Sequence, residues 1–538
     1  MRVHEALAAA VAANEVDTLF GLLGDSNLFM VNAFVEQQHG RYVSAVHEAG
    51  AVMMAHGYAC RSGRLGVATV TQGPGLTNTV TALVEAVRSA TPLVLICGDT
   101  NPGNTANVQS LAQAPLVAAT GADYMLVERP EDAAAAFHRA ARRARDGRRP
   151  VVLNCPTSFQ WHEVGEPLIA DAGLVLGAVQ EPEESALDAA VGVLAASRRP
   201  LVLAGRGVLD KPARDAVLDL AERLGAPIAT TLKARGLYTA EEGSVGVFGT
   251  LSTAIGVETI NDADCVVAFG AGLNTWTTAG TELLEGKSVV HVDDDPSAIG
   301  RHAPVTAGVP GDAAVTARTI VDWLDTAEIP TSSYRELVRR RLTPEALRWT
   351  ETSTDSFSLA AVLSAIDAAL PAVRTIVQDG GRFLGESFRY LGTHEPAAHV
   401  LSTSFGAVGL GMGAAIGAAC AAPDEPTVLI TGDGGFMMSG LAELQSAVRH
   451  GIPLTVVVCN DGSYGAEYDQ FINRGIDPGL SLFEWPQFAD LAGPLGCKGL
   501  TVSTMADLAP ALAAMRDSDR PVVIDVKIAP DAIPEVPH

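Results

Sequence analysis

A chain of 538 residues is too long for one ordinary core and points to about three domains. Its composition, 48% hydrophobic and 18% charged, is that of well-packed globular domains rather than a disordered chain. The formal net charge of −25 argues against nucleic acid as a partner, because binding a phosphate backbone needs a basic surface.

The first residues, MRVHEALAAAVAANEV, suit an amphipathic helix and not a signal peptide. No run reaches the ~18 apolar residues of a membrane helix, so no membrane association is expected and the cytoplasm is the expected compartment. The seven cysteines show no CxxC pair and several sit inside apolar runs, which reads as reduced core.

Short Val/Ile/Leu runs ending in glycine then alternate with Ala-rich segments of helical period: TLFGLLG, GVATVTQGPG, LVLICGD, PLVLAGRG, CVVAFGAG, SVVHVDDD, TIVQDGG, TVLITGDGG and TVVVCNDG. That alternation predicts an α/β fold of three doubly wound domains with mainly parallel sheets. Two polar stretches, around Leu168 to Leu187 and from LDTAEIP to TETSTDS, read as linkers. The expected domains are residues 1–170, 188–325 and 355–538.

The chemistry-bearing residues cluster where strands should end, which is where such folds bind ligands. In GLLGDSNLF, Asp25 is either an Asx turn or a shielded acid. Glu48, in SAVHEAGAVMMAHGYA, opens an apolar helix, where a lone carboxylate is costly without a partner. VTQGPGLTN offers Gly73, Pro74 and Asn78 in a turn between strand and helix, and Gln109 lies in the following loop. Gly381 and Arg382 follow a strand in QDGGRF, and Arg382 could bind a substrate carboxylate or a diphosphate or equally form a surface ion pair.

Beyond the strand TVLIT, Asp433 stands between Gly432 and the pair Gly434-Gly435, with a helix to follow. Such a turn offers N–H groups to a phosphate and a carboxylate oxygen to a hard cation; an ordinary helix N-cap is the plainer reading. The next strand ends in NDGSYG, and parallel neighbours bring both turns to one sheet edge.

At this point the sequence resembles, over its whole length, the thiamine diphosphate (ThDP) enzymes of the pyruvate decarboxylase, benzoylformate decarboxylase and acetolactate synthase group. The resemblance implies that GDG…N holds Mg2+ and the diphosphate. By raw spacing the metal-binding Asn is Asn460; by local pattern, NDGSYGA against NNGTYGA, the position falls on Asp461, with the Ser463 carbonyl as a further ligand and Tyr464 beside the cofactor. The local pattern is favoured, because GDGGFMMSGLAEL is one residue longer than the usual GDGGFQMTIQEL. Glu48 would hydrogen-bond the aminopyrimidine, GPGLTN would approach its ring, and Gly406 to Gly409 would wedge the cofactor bent, with Val408 a smaller wedge than usual.

The resemblance also implies a 2-oxo acid as substrate, non-oxidative decarboxylation, and a choice at the resulting enamine. Protonation gives an aldehyde, with Asp25 and Glu467 as the acids; attack on a second carbonyl gives an acetolactate synthase-like carboligase. Asp25 and Glu467 suit a decarboxylase, whose tandem His is nevertheless missing, and Gln109 resembles a glutamine of acetolactate synthases. The central domain reads GVFGTL where flavin-binding members carry Met-His, so FAD is not expected. Active sites shared between the subunits of a homodimer or homotetramer are expected.

Overall fold

The computed structural model describes residues 1–101, 104, 106–165, 180–349 and 357–533. The first of three six-stranded sheets contains β1 (Thr18–Gly21), β2 (Arg41–Ser44), β3 (Gly66–Val70), β4 (Leu93–Asp99), β5 (Asp123–Leu126) and β6 (Val151–Pro156), in the order β2-β1-β3-β4-β6-β5. The middle sheet contains β7 (Pro200–Ala204), β8 (Ile228–Thr230), β9 (Ser244–Val247), β10 (Cys265–Phe269), β11 (Ser288–Asp293) and β12 (Ala307–Pro310), in the order β12-β11-β10-β7-β8-β9. The third contains β13 (Thr375–Gln378), β14 (His399–Leu401), β15 (Thr427–Gly432), β16 (Thr455–Asn460), β17 (Lys498–Val502) and β18 (Val522–Lys527), in the order β14-β13-β15-β16-β18-β17.

Paired strands run parallel, and their nearly unbroken burial explains the apolar runs in the sequence, since helices cover both faces. The predicted fold class is thus the observed one. The first and third sheets have the same strand order, in which the first strand lies between the second and the third. That reversal of direction is where a parallel sheet opens a crevice at its strand ends.

The first and third sheets belong to one compact unit, and the middle sheet with Phe388–His399 forms the other. Within the first unit the helix Glu48–Ser62, which follows β2, packs on the helix Gly411–Ala421, which follows β14. Glycines let the two backbones meet: a Cβ at Gly57 would collide with the Ala414 carbonyl, and one at Gly417 with that of Met54. One hydrophobic cluster runs through this contact, from Phe20 and Leu95 across Met53, Met412 and Ile416 to Leu429 and Val456. The small-residue run GMGAAIGAA is therefore a helix–helix contact surface.

The middle unit gives its GRG stretch a packing reason. Gly205 and Gly207 approach Gly270 so closely that a Cβ at either would strike it, and the Gly207 N–H bonds the Gly270 carbonyl at 3.1 Å. Part of the second stretch read as linker is instead core. Tyr334 and Val338, in the short helix Tyr334–Arg339, are buried against Val266 and Ala268, and the Tyr334 hydroxyl donates to the Thr259 carbonyl. Polarity along RELVRRR hid one apolar helical face, so this unit runs past the expected end at 325. The expected boundaries at 170 and 355 lie outside the described residues. Among the described residues no helix is long and apolar enough to cross a membrane, and none of the seven cysteines forms a disulfide.

Candidate active site

The parallel register sets Gly432 of β15 opposite Cys459 of β16, so Asp433 and Asp461 leave the sheet at the same edge. Asp433 is 3% exposed and accepts the N–H of Gly434 (2.7 Å), the N–H of Gly462 (2.8 Å) and the indole N–H of Trp485 (3.0 Å). Burial, with the carboxylate of Asp461 nearby as second cause, pushes its carboxyl up to about 6.

The pair Asn460-Asp461 divides by strand alternation, which sends successive side chains to opposite faces. Asn460 donates its amide to Asp525, a fully buried residue of β18, at 2.8 Å. Asp461 turns toward Asp433 and accepts the N–H (3.0 Å) and hydroxyl (2.8 Å) of Ser463. Arg382 does not stand free for a ligand: its guanidinium bonds Asp461 (2.8 Å), Asp469 and the Pro530 carbonyl (2.6 Å), and lies over the Tyr468 ring. It is the counter-ion of Asp461 and Asp469, so of the readings offered for Arg382 the ion pair is the one present, and it is buried rather than at the surface.

The extra residue of GDGGFMMSGLAEL is visible as a π-helical turn at Phe436–Gly440, continuous with the helix Leu441–Arg449. Such a turn absorbs one inserted residue without breaking the helix. An aromatic row then covers the cradle: Tyr464, packed beneath Gly434, meets Phe483 with centroids 4.4 Å apart, and Phe483 stacks on Trp485 at 4.8 Å.

Asp379, the residue just before the Gly380-Gly381 pair, ties the neighbouring strand ends together. It accepts the N–H groups of Gly380 (2.8 Å) and Gly409 (3.1 Å) and the hydroxyl of Thr431 (3.1 Å). Complete burial pushes its carboxyl up to about 6, although those bonds pull the other way. It thereby fixes the turn Gly406–Gly409, whose glycines have φ of 77° and 88°. A Cβ at Gly435 would lie 3.1 Å from Val408, so the valine sits directly above the cradle, 41% exposed, with the more open Met438 against Gly409.

The other half of the site lies in the first sheet. Glu48 opens its helix and accepts the Asn78 amide at 2.9 Å, and Gly75 approaches it so that a Cβ there would lie 3.7 Å away. Gly73 takes a φ of 61°, and Pro74 begins the short helix that ends at Asn78. Two glutamines brace this turn from behind. Gln113 accepts the Gly73 N–H (2.9 Å) and donates to the Gly98 carbonyl (2.9 Å), while Gln72 donates to Gln109 (2.6 Å).

The two expected acids stand apart from these networks. Asp25 is exposed in the loop after β1, where Gln160 donates to its carbonyl at 3.0 Å, and Asn27 is the buried polar group of that loop. Glu467 is exposed on the helix Gly465–Asn473. Among the described residues, no hydrogen bond or ion pair joins Glu48 and the GPG turn to GDGG and NDGSYG. Sequence reading missed Asp379, Trp485 and Gln113; for Asp379 the signal was present, as a carboxylate ending the strand run TIVQ.

Three domain models match the chain: the N-terminal TPP binding domain of thiamine pyrophosphate enzymes at residues 1–119, their central domain at 187–320 and their C-terminal TPP binding domain at 379–526. Among curated relatives, the sulfoacetaldehyde acetyltransferase of Castellaniella defragrans is 30% identical over 96% of this chain and 91% of its own length. That of Alcaligenes xylosoxydans xylosoxydans is 28% identical over 95% and 90%. The acetolactate synthase large subunit of Parasynechococcus marenigrum is 27% identical over 97% and 87%. With relatives matched nearly end to end and all three domains in order, the chain belongs to the thiamine pyrophosphate-dependent enzyme family.

Proposed function

We propose that this enzyme binds ThDP with Mg2+, decarboxylates a 2-oxo acid and passes the remaining acyl unit to a second electrophile, as a flavin-free carboligase or acyltransferase. The observation that carries the cofactor reading is the buried pair Asp433 and Asp461 at neighbouring strand ends, beside the glycines of GDGG and tied through the Gly462 N–H that Asp433 accepts. The donor set fits the group: two carboxylates and the Ser463 carbonyl for a hard cation, and the N–H group of Gly435 with the open glycine turn for a diphosphate. ThDP held there would supply the carbon nucleophile and electron sink that decarboxylation of a 2-oxo acid requires.

The protein's own groups do the rest. Glu48, oriented by Asn78, holds a proton opposite the aminopyrimidine. Gly73 would let backbone approach the cofactor's ring, and Val408, seated over Gly435, would be the side chain that the cofactor packs against. Among the described residues no hydrogen bond or ion pair joins Glu48 and the GPG turn to GDGG and NDGSYG, and we place each active site between the first sheet of one subunit and the third sheet of another, in a homodimer or a tetramer of such pairs.

Transfer is preferred over simple protonation because the compared relatives are named as acetyltransferases and acetolactate synthases, and because Asp25 and Glu467 are exposed. The test incubates holoenzyme with pyruvate or benzoylformate, with and without an aldehyde or second 2-oxo acid, and identifies products by mass. A parallel arm offers sulfoacetaldehyde with phosphate. Hydroxyketone, acetohydroxy acid or acetyl phosphate supports transfer; free aldehyde alone, whatever the acceptor, replaces it with plain decarboxylation.

A further inference from the structure

Two buried glutamates outside the cradle reach across to the opposite sheet of the same chain. Glu85, fully buried in the helix Val80–Arg88 after β3, accepts the backbone N–H groups of Ser404 (2.9 Å) and Phe405 (2.6 Å) and the hydroxyl of Ser89 (2.9 Å). Glu443, 3% exposed in the helix Leu441–Arg449 after β15, accepts the N–H of Val46 (3.0 Å) and the hydroxyl of Ser446 (2.7 Å), with a further backbone bond from His47.

Supporting contacts repeat on the two sides. The Arg88 guanidinium lies 4.6 Å from the Phe405 ring centroid. Arg449 donates to the Ser44 hydroxyl (2.9 Å), and the Ser44 N–H donates to His450 (2.9 Å).

The held segments occupy matching places. Val46 and His47 join β2 to the Glu48 helix, and Ser404 and Phe405 join β14 to the Gly411–Ala421 helix, leading into Gly406 to Gly409. Since β2 and β14, and likewise β3 and β15, hold equivalent places in sheets of identical order, the arrangement is reciprocal. Each third-strand helix sends a carboxylate to the link after the other sheet's second strand. A carboxylate buried among apolar helix residues is costly unless N–H groups satisfy it, and a random substitution would not produce two such cases at equivalent positions. Glu443 lies so close beneath the first turn of the Glu48 helix that a Cβ at Gly50 would strike its carboxylate, and a negative charge there also favours the helix start.

We propose that Glu85 and Glu443 are paired positioning residues, Glu443 fixing where Glu48 stands and Glu85 fixing the turn that carries Val408. The assignment of what they position rests on the cofactor reading above; the latches themselves do not. Amide hydrogen exchange on the full chain tests them with E85Q and E443Q. E85Q should speed exchange at Ser404 and Phe405 by about tenfold or more while leaving Val46 and His47 unchanged, and E443Q should do the converse.

Should either variant fail to fold, Ser89→Ala and Ser446→Ala remove one bond from each carboxylate and should give smaller changes in the same two segments. Unchanged exchange in all folded variants, or equal acceleration of both segments by either one, overturns the proposal. Calorimetric titration with ThDP and Mg2+ should show binding weakened by about tenfold in E85Q and E443Q. Unaltered affinity alongside segment-specific exchange would overturn the positioning role. A wild-type protein that takes up no ThDP would remove the cofactor reading instead, with exchange alone then deciding the latches.

Discussion

The first and third sheets share one strand order yet carry different chemistry at their open edges. The third is lined by carboxylates, Asp379, Asp433 and Asp461, two of them pushed up to about 6 by burial. The first is lined mainly by amides, Asn27, Gln72, Asn78 and Gln113; of its carboxylates Asp25 is exposed, Asp99 accepts the Asn154 amide, and Glu48 stands at a helix start beside Asn78. One scaffold used twice can thus hold a charged load and a neutral one. Fixed acids and N–H groups suit a metal diphosphate, whereas neutral amides and one acid suit an uncharged ring. If that division is right, damage to the first edge should remove turnover and damage to the third should remove metal.

The largest effect is expected at Glu48, the acid of the first edge that Asn78 orients. Glu48→Gln keeps the bond to Asn78 but cannot exchange a proton, so turnover should fall by about 10²- to 10⁴-fold, while ThDP and Mg2+ binding by calorimetry stays near wild type. Equal losses in binding and turnover would blur the contrast between the edges. On the third edge, Asp461→Ala should weaken Mg2+ by about 100-fold or more. Asn460→Ala should leave metal affinity nearly intact and instead lower stability by about 1–3 kcal/mol, because buried Asp525 loses a partner. Metal loss on Asn460→Ala alone would reverse the assignment.

Much of this contrast was legible in the sequence because it sits in local patterns. Apolar runs ending in glycine marked the strand ends, and GDGG, NDGSYG, GPGLTN and Glu48 fell there because each follows its strand directly. The choice between Asn460 and Asp461 was harder, since counting residues and matching the local pattern disagreed by one. The π turn at Phe436–Gly440 explains the disagreement, as the helix takes up the extra residue before the next strand begins. Glu85 and Glu443 were not legible. Each bonds backbone N–H groups far away in the chain, and nothing in LVEAV or LAELQ says which loop the acid will meet. The polar stretch holding Tyr334 misled for the opposite reason, its one buried face being short.

Asp379 offers a sharper measure of how the third edge stores charge. An acid whose folded pKa is about 6 against an ordinary 3.8 keeps its proton in the fold after the unfolded chain has lost it. Folding therefore takes up a proton between those values, and the stability contribution falls as pH rises through that window, then levels off above it. The fall is up to about 3 kcal/mol for a shift of roughly two units. Denaturation curves of wild type minus Asp379→Asn at pH 4, 5, 6 and 7 should show the wild-type advantage shrinking across that range; parallel curves would mean Asp379 is ionised throughout. The contact that joins the two edges should be somewhat less sensitive. Gly417→Ala puts a Cβ against the Met54 carbonyl and should cost about 1–3 kcal/mol, with the melting of both sheets lowered together.

The smallest effects are expected at Asp25 and Glu467, and they decide what the edges are for. Both are exposed in the single chain, and neither belongs to the hydrogen-bonded networks of its edge. Asp25→Asn and Glu467→Gln should therefore shift stability by no more than about 0.5 kcal/mol. If the enzyme transfers its acyl unit, the ratio of carboligation product to free aldehyde should change less than about threefold, since no proton from these side chains is needed to complete the reaction. If instead they shuttle the proton that releases aldehyde, the same variants should cut aldehyde by about 10²-fold while sparing decarboxylation-linked transfer. The measurement is product mass at matched substrate consumption. An outcome of the second kind would mean that a partner subunit shields both acids, making the first edge an acid–base surface rather than an amide-lined seat.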